Sequence, residues 1–323
     1  MNTIARKLVL SVLTVVLSVI ALGTTTFAWF TITNTSAIQP FSANVTGDTG
    51  IEMALGVATP GSENLLNWVS VIQTEDIEEY IYETIAKGGL GFTTFTHVTT
   101  ANGVDFFTLG VDSLTGTTAG YLSIPINFRS NSANAIQWSN VTLTSTTAPW
   151  TADVSFVGAK GTSFTSGDSL DINAADSFRI AIIGSIGGLQ TVQGYENPDS
   201  ITNVVLGGGT ANPQDLSDGN VIVVDPLDPL QDIPAGDDGA MNYYYQKVGQ
   251  LPFGADAVTV LETITSIASP ITVVSLAATP TSGAANFGTI YIRIWLEGWD
   301  ANAYNSVLNR AISASFKFVG TTV

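Results

Sequence analysis

Along most of this chain, apolar and polar residues alternate in short runs rich in Val, Ile, Thr, Phe and Tyr. Gly, Pro, Asn and Asp break the runs apart. That pattern predicts β-strands bounded by turns. Candidate strands fall at 38–45, 92–98, 106–111, 121–128, 138–145, 152–157, 178–183, 221–224, 258–264, 271–276, 289–296 and 311–318. In the last run Ile312, Ala314, Phe316 and Phe318 share one face and Ser313, Ser315 and Lys317 the other, as in a strand with one buried and one wet face. About a dozen such strands with frequent turns predict an all-β fold, an antiparallel jelly-roll-like β-sandwich.

Helical spacing is almost confined to 75–87, where Ile77, Ile81 and Ile85 recur every fourth residue. Thr74 reads as its N-cap, and Glu75 and Asp76 suit the positive end of the helix dipole. Its other carboxylates read as a solvated face. One short helix, a lid or crossover, therefore accompanies the sandwich.

The amino terminus follows neither pattern. Arg6 and Lys7 precede an uncharged stretch at 8–28, and Thr26-Phe27-Ala28 closes it with small residues at its first and third places. That layout is a secretory signal peptide. At 21 residues the stretch is also long enough to span a bilayer as a retained anchor. Both readings place the bulk of the chain, 29–323, outside the cytoplasm, extracellular or at the cell surface, as one β-sandwich domain. Between about 190 and 254 the composition shifts: Gly207-Gly208-Gly209, Asp225-Pro226-Leu227-Asp228-Pro229 and Asp237-Asp238-Gly239 crowd together. Pro donates no ladder hydrogen bond, so this stretch reads as an acidic, Gly/Pro-rich insertion.

Composition narrows the chemistry. Charged residues are 11% of the chain, against about 25% in an ordinary soluble protein. With 27 acidic and 10 basic residues the net charge is −17, which disfavours binding nucleic acid through phosphate contacts. Cys is absent and His97 stands alone, so no thiol nucleophile, disulfide, Cys-rich zinc site or multi-His metal site can form. His97 lies in a strand pattern and reads as structural. The glycine triplet lacks the Gly-Lys-Ser/Thr ending of a phosphate loop, and no Gly-x-Ser-x-Gly elbow occurs. The residues thus point to no enzyme and no cofactor, with calcium as the one metal to weigh. Asp225, Asp228, Asp232, Asp237 and Asp238 supply hard oxygen ligands within fourteen residues, although their spacing is not that of an EF-hand. Asn34, Asn44 and Asn140 open Asn-x-Ser/Thr triplets, a common chance pattern in a Thr-rich chain. Aromatic groups at 27–30, 243–245 and 295–299 suit core or interface packing, or an exposed glycan platform.

Several segments carry a resemblance. Residues 21–30, a Gly/Thr-rich stretch running through Ala28 into Trp29-Phe30, look like the signal-peptide end of the TasA/camelysin family of exported fibre proteins. Residues 38–45 and 51–55 are similar to that family's first two strands, 121–130 to its central strand, and 302–318 to its closing Asn-rich turn and last strand. The likeness covers about a third of the chain, and 190–254 departs from it. Trp295-Leu-Glu-Gly-Trp-Asp300 also resembles a segment shared by a set of bacterial surface proteins. The family resemblance implies a jelly-roll subunit of a biofilm-matrix fibre whose partners are copies of itself, joined by N-terminal strand donation. The donor residues would be Trp29, Phe30, Ile32, Ile38 and Phe41, in an uncharged, β-prone segment. Camelysin-like members have been described as proteases, an activity that a chain with one His and no Cys does not support. The alternatives are a membrane-anchored adhesin or glycan-binding surface protein, and a pilus-type filament with an uncut N-terminal helix in its core.

Overall fold

The computed structural model describes residues 41–48, 50–58, 63–86, 94–109, 114–158, 162–201, 239–248, 260–278 and 285–322. In chain order the strands begin with β1 (Phe41–Gly47), β2 (Glu52–Leu55) and β3 (Val71–Ile72), followed by helix α1 (Thr74–Tyr80). Next come β4 (His97–Thr99), β5 (Phe106–Leu109), β6 (Leu114–Thr117), β7 (Tyr121–Ser130), β8 (Ala135–Ser145) and β9 (Ala148–Thr151). They continue with β10 (Phe156–Val157), β11 (Ser163–Phe164), β12 (Ser169–Ile172), β13 (Phe178–Ile186) and β14 (Leu189–Glu196). Helix α2 (Ala240–Val248) precedes β15 (Thr263–Ile264), β16 (Ile271–Ser275), β17 (Ala277–Ala278), β18 (Asn286–Glu297) and β19 (Ile312–Thr321).

The described chain is an all-β sandwich. One sheet runs β16-β8-β19-β1-β3. The other centres on β18, flanked by β13 and β7, with β14 and β15 beyond β13, β2 beyond β7, and β4-β5-β6 extending one end. Both sheets alternate: Leu122, Ile124, Ile126 and Phe128 of β7 and Ile290, Ile292 and Ile294 of β18 meet Ile312, Ala314, Phe316 and Phe318 of β19 in one core. The shared face read from residues 312–318 is therefore the buried one. In β8 the buried residues step by two and then by three, Ile136, Trp138, Val141 and Leu143. The register slips there, Phe318 facing Trp138 and Lys317 facing Asn140, so Ser139 is the extra residue of a β-bulge and restores the inward face.

On each flank the chain itself ties one sheet to the other. Val69 exchanges backbone hydrogen bonds with Met53 of β2 at 2.7 and 2.8 Å, and two residues on β3 joins β1, so one segment stitches the two sheets. On the opposite flank β16 crosses against the second sheet at two glycines. A Cβ on Gly184 would fall on the Val273 carbonyl oxygen, and one on Gly288 would lie 2.9 Å from that of Ser275.

Several expectations need adjusting. The sheets are not purely antiparallel: β1 runs parallel to β19, β4 to β18 and β14 to β15. Parallel neighbours need a long connection, and the first and last strands have nearly the whole chain between them. The insertion does not start at 190. Gly187 and Gly188 have φ of +58° and +83°, the geometry of a two-residue hairpin turn, and β14 returns along β13. The half-exposed, polar make-up of β14 hid it. Within 190–254 there is also a second helix, α2, which seats Tyr243 against Trp150, Phe156 and Tyr304. The expected helix begins at Thr74, with Gln73 rather than Thr74 as its N-cap because the Asp76 carboxylate accepts the Gln73 N–H at 2.8 Å. It continues as a π-helical turn over Ile81–Ala86, and Ile77 and Ile81 are buried as its spacing predicts. Among the described residues no helix is long and apolar enough to cross a membrane.

Candidate functional site

Two regions stand out, one buried and one exposed. The buried one lies where β13, β18 and β4 end together. Arg179 of β13 stands directly across from Glu196 on one neighbouring strand and Trp295 on the other. Its guanidinium bonds Glu196 and Asp300, each at 2.6 Å. Asp300, 0% exposed, also accepts the backbone N–H groups of Ile201 at 3.0 Å and Asn302 at 2.7 Å. Glu297 accepts the Trp295 indole N–H at 3.0 Å and the Trp299 backbone N–H at 3.3 Å. His97, parallel to Leu296 on the next strand, places Nε2 2.9 Å from the Ala303 carbonyl oxygen, which makes that nitrogen the donor.

Burial sets the protonation of this cluster. It pushes Asp300 up to about 6 even against the adjacent Arg179, and raises Glu297 despite the Trp295 hydrogen bond. Burial lowers His97 to about 4, so the imidazole is neutral at pH 7. For Arg179 burial opposes the charge, and the Asp300 and Glu196 carboxylates more than restore it, so the guanidinium stays ionised. Perturbed groups of this kind often mark active sites. Here, however, each named carboxylate binds main chain or a neighbouring strand, and together they fasten the turn at 298–304 to the sheet. Three clefts formed by described residues lie elsewhere, and none is lined by Arg179, Glu297, Asp300 or His97. The largest, about 770 Å³, opens between the β1–β2 and β7–β8 turns, where Arg129 pairs with Glu52 at 2.7 Å.

The exposed region is the outer face of the first sheet. The registers align Ser42, Ser313 and Thr144 in one row, Asn44, Ser315 and Thr142 in the next, and Thr46, Lys317 and Asn140 in a third. Asn44, Asn140, Thr142, Thr144, Ser313 and Lys317 are exposed. Neighbouring hydroxyls bond one another, Ser42 Oγ to Ser313 Oγ at 2.7 Å and Thr142 Oγ1 to Ser315 Oγ at 2.6 Å.

Of the donor residues expected from sequence, Phe41 opens β1, which is paired over all seven of its residues with the chain's own β19. Trp29, Phe30, Ile32 and Ile38 lie outside the described residues. So do Asp225, Asp228, Asp232, Asp237 and Asp238, together with the 1–28 segment. Among the described residues no group of three or more His, Asp or Glu side chains is placed to hold a metal ion. The aromatic residues Trp295, Trp299, Tyr243 and Tyr244 are buried, which fits packing rather than a glycan platform. Sequence reading missed the ionic cluster. Its signal was the pair of acids within Trp295-Leu-Glu-Gly-Trp-Asp300 and an Arg inside the apolar run 178–183. Compared with known proteins, the chain matches no family model, no curated protein and no solved structure.

Proposed function

We propose that this chain is a non-enzymatic structural subunit that works outside the cell, joining copies of itself into a surface filament or matrix fibre by exchanging its N-terminal strand. The observation that carries this reading is the setting of β1. Its full-length ladder is with β19, the last strand, while on its other edge β3 pairs only at Val45 and Thr46. Among the described residues no strand pairs with that edge along Phe41–Asn44. With the cleavage after Ala28 expected from the sequence, β1 would lie near a free amino end and could leave and re-enter a sheet without threading. The pairing one chain closes on itself is then also the pairing it can make with the β19 of a neighbour. Gly47 and Gly50, the latter at φ +93°, flank the turn on which β1 would swing. The uncharged segment holding Trp29, Phe30, Ile32 and Ile38 would travel with it. Head-to-tail exchange is heterologous and need not close, so it produces filaments.

Electron micrographs of the exported protein are expected to show filaments. A chain lacking 29–45 should show none, and should bind a synthetic peptide of those residues with recovery of its folded circular-dichroism spectrum. Filaments of unchanged appearance from the deleted chain would refute strand exchange.

A further inference from the structure

We infer that the outer face of the first sheet is a second, lateral contact between copies of this chain. This rests on the reading of the chain as an assembling subunit, and adds a surface that strand exchange does not use. The first support is charge. The chain carries −17, so two copies repel wherever their acids meet. The three rows on β1, β19 and β8 contain no Asp or Glu, and neither does the row beyond them, Val319, Gln137 and Thr272. Lys317 is the single charge on this face. A strongly acidic molecule meeting its own kind through these rows brings no carboxylate against another.

The second support is extent. Each of the four rows spans three strands, so twelve outward positions, each about 4.8 Å by 6.7 Å, give roughly 400 Å² per copy. A face-to-face pair would bury roughly 800 Å² in total, a small contact on its own, which repetition along two filaments would multiply.

The third is shape. Ser, Thr and Asn side chains are short, so two such faces can approach closely and interdigitate, as stacked sheets do in steric zippers. The hydrogen bonds between Ser42 and Ser313 and between Thr142 and Ser315 satisfy part of the face before contact, which reduces the cost of removing its water.

Two of the Asn-x-Thr triplets, at Asn44 and Asn140, project from this same face. A glycan on either would hold a second sheet away, so both asparagines must be unmodified.

The test uses the full chain. Ser313→Glu with Asn140→Glu puts two carboxylates on separate rows of the face, and Thr118→Glu with Leu189→Glu puts two at exposed positions elsewhere. Thermal melts check that both variants fold. In sedimentation velocity and micrographs, wild-type filaments are expected to pair side by side. The face variant should form single filaments, its lateral association at least tenfold weaker, and the control should stay within twofold of wild type. Unchanged bundling by the face variant would overturn the proposal and leave strand exchange standing. Equal weakening by the control, an absence of lateral pairing in the wild type, or a glycan mass on the peptide holding Asn44 or Asn140 would each overturn it as well.

Discussion

The end of the second sheet and the outer face of the first reverse the usual placement of polar groups. Arg179, Glu297 and Asp300 are charged residues held at 2% exposure or less. The open face, where charge would cost little, carries hydroxyls, amides and one lysine. Buried charges are costly unless fully paired, and here each is met by a named partner. Open hydroxyl rows contribute little to stability, because an exposed polar pair largely exchanges one water bond for another. The contrast separates two tasks. The ionic cluster fixes the geometry of the sheet ends, and the outer face stays open, the surface proposed above as a contact between copies.

Removing one buried partner should have the largest effect. Asp300→Ala leaves Arg179 buried without the more deeply buried of its two carboxylates and is expected to cost about 3–5 kcal/mol in urea unfolding. A loss under about 1 kcal/mol would mean that water reaches the cluster. Replacing both partners, Arg179→Met with Asp300→Leu, should recover only part of that loss, because the Ile201 and Asn302 N–H groups and Glu196 then lack their partners.

Acid tests the same region. His97 titrates near 6.5 when unfolded and near 4 when folded, so between those values the unfolded chain binds more protons. Its contribution is intact above about pH 6.5 and is lost as pH falls toward 4, by about 3 kcal/mol at the low end. Asp300, raised to about 6 by burial, acts in the opposite direction between 6 and 3.8, where the folded state binds more protons and gains stability on acidification. A His97→Gln variant, stripped of the first effect, should therefore gain on wild type steadily from pH 7 to pH 4. Parallel melting curves for the two proteins across that range would contradict the assignment.

The joint between the regions is next in size. Gly184→Ala sets a methyl group against the Val273 carbonyl where β16 crosses the second sheet, and should cost about 1–3 kcal/mol. The smallest change is expected on the open face itself. Thr142→Val removes the hydrogen bond to Ser315 and should move stability by less than about 0.5 kcal/mol. A larger loss there would mean that the face supports the fold rather than an outside partner.

The strands were legible wherever one face is buried and the other wet, as in residues 312–318, because alternation is what such a strand must show. The β13–β14 hairpin was missed although Gly187-Gly188 is a two-residue turn signal, because half-exposed β14 lacks clean alternation. The parallel β1–β19 pair was equally hidden, because nothing local records which strands meet across the length of a chain. Arg179 and Asp300 stand 121 residues apart, so their meeting depends on the β13–β18 register. Of the aromatic group at 243–245, Tyr243 and Tyr244 are buried, which agrees with the packing alternative, and they lie on a helix that the sequence did not predict.

Strand exchange can be read directly because the chain has no cysteine of its own. Ser42 and Ser313, whose hydroxyls lie 2.7 Å apart across β1 and β19, are positioned for a disulfide when both become Cys. Filaments of the double Ser42→Cys, Ser313→Cys protein, oxidised after assembly and run on a non-reducing gel, are expected to give a ladder of covalent multimers. Filaments that oxidise only to monomers, each crosslinked within itself, would contradict the account.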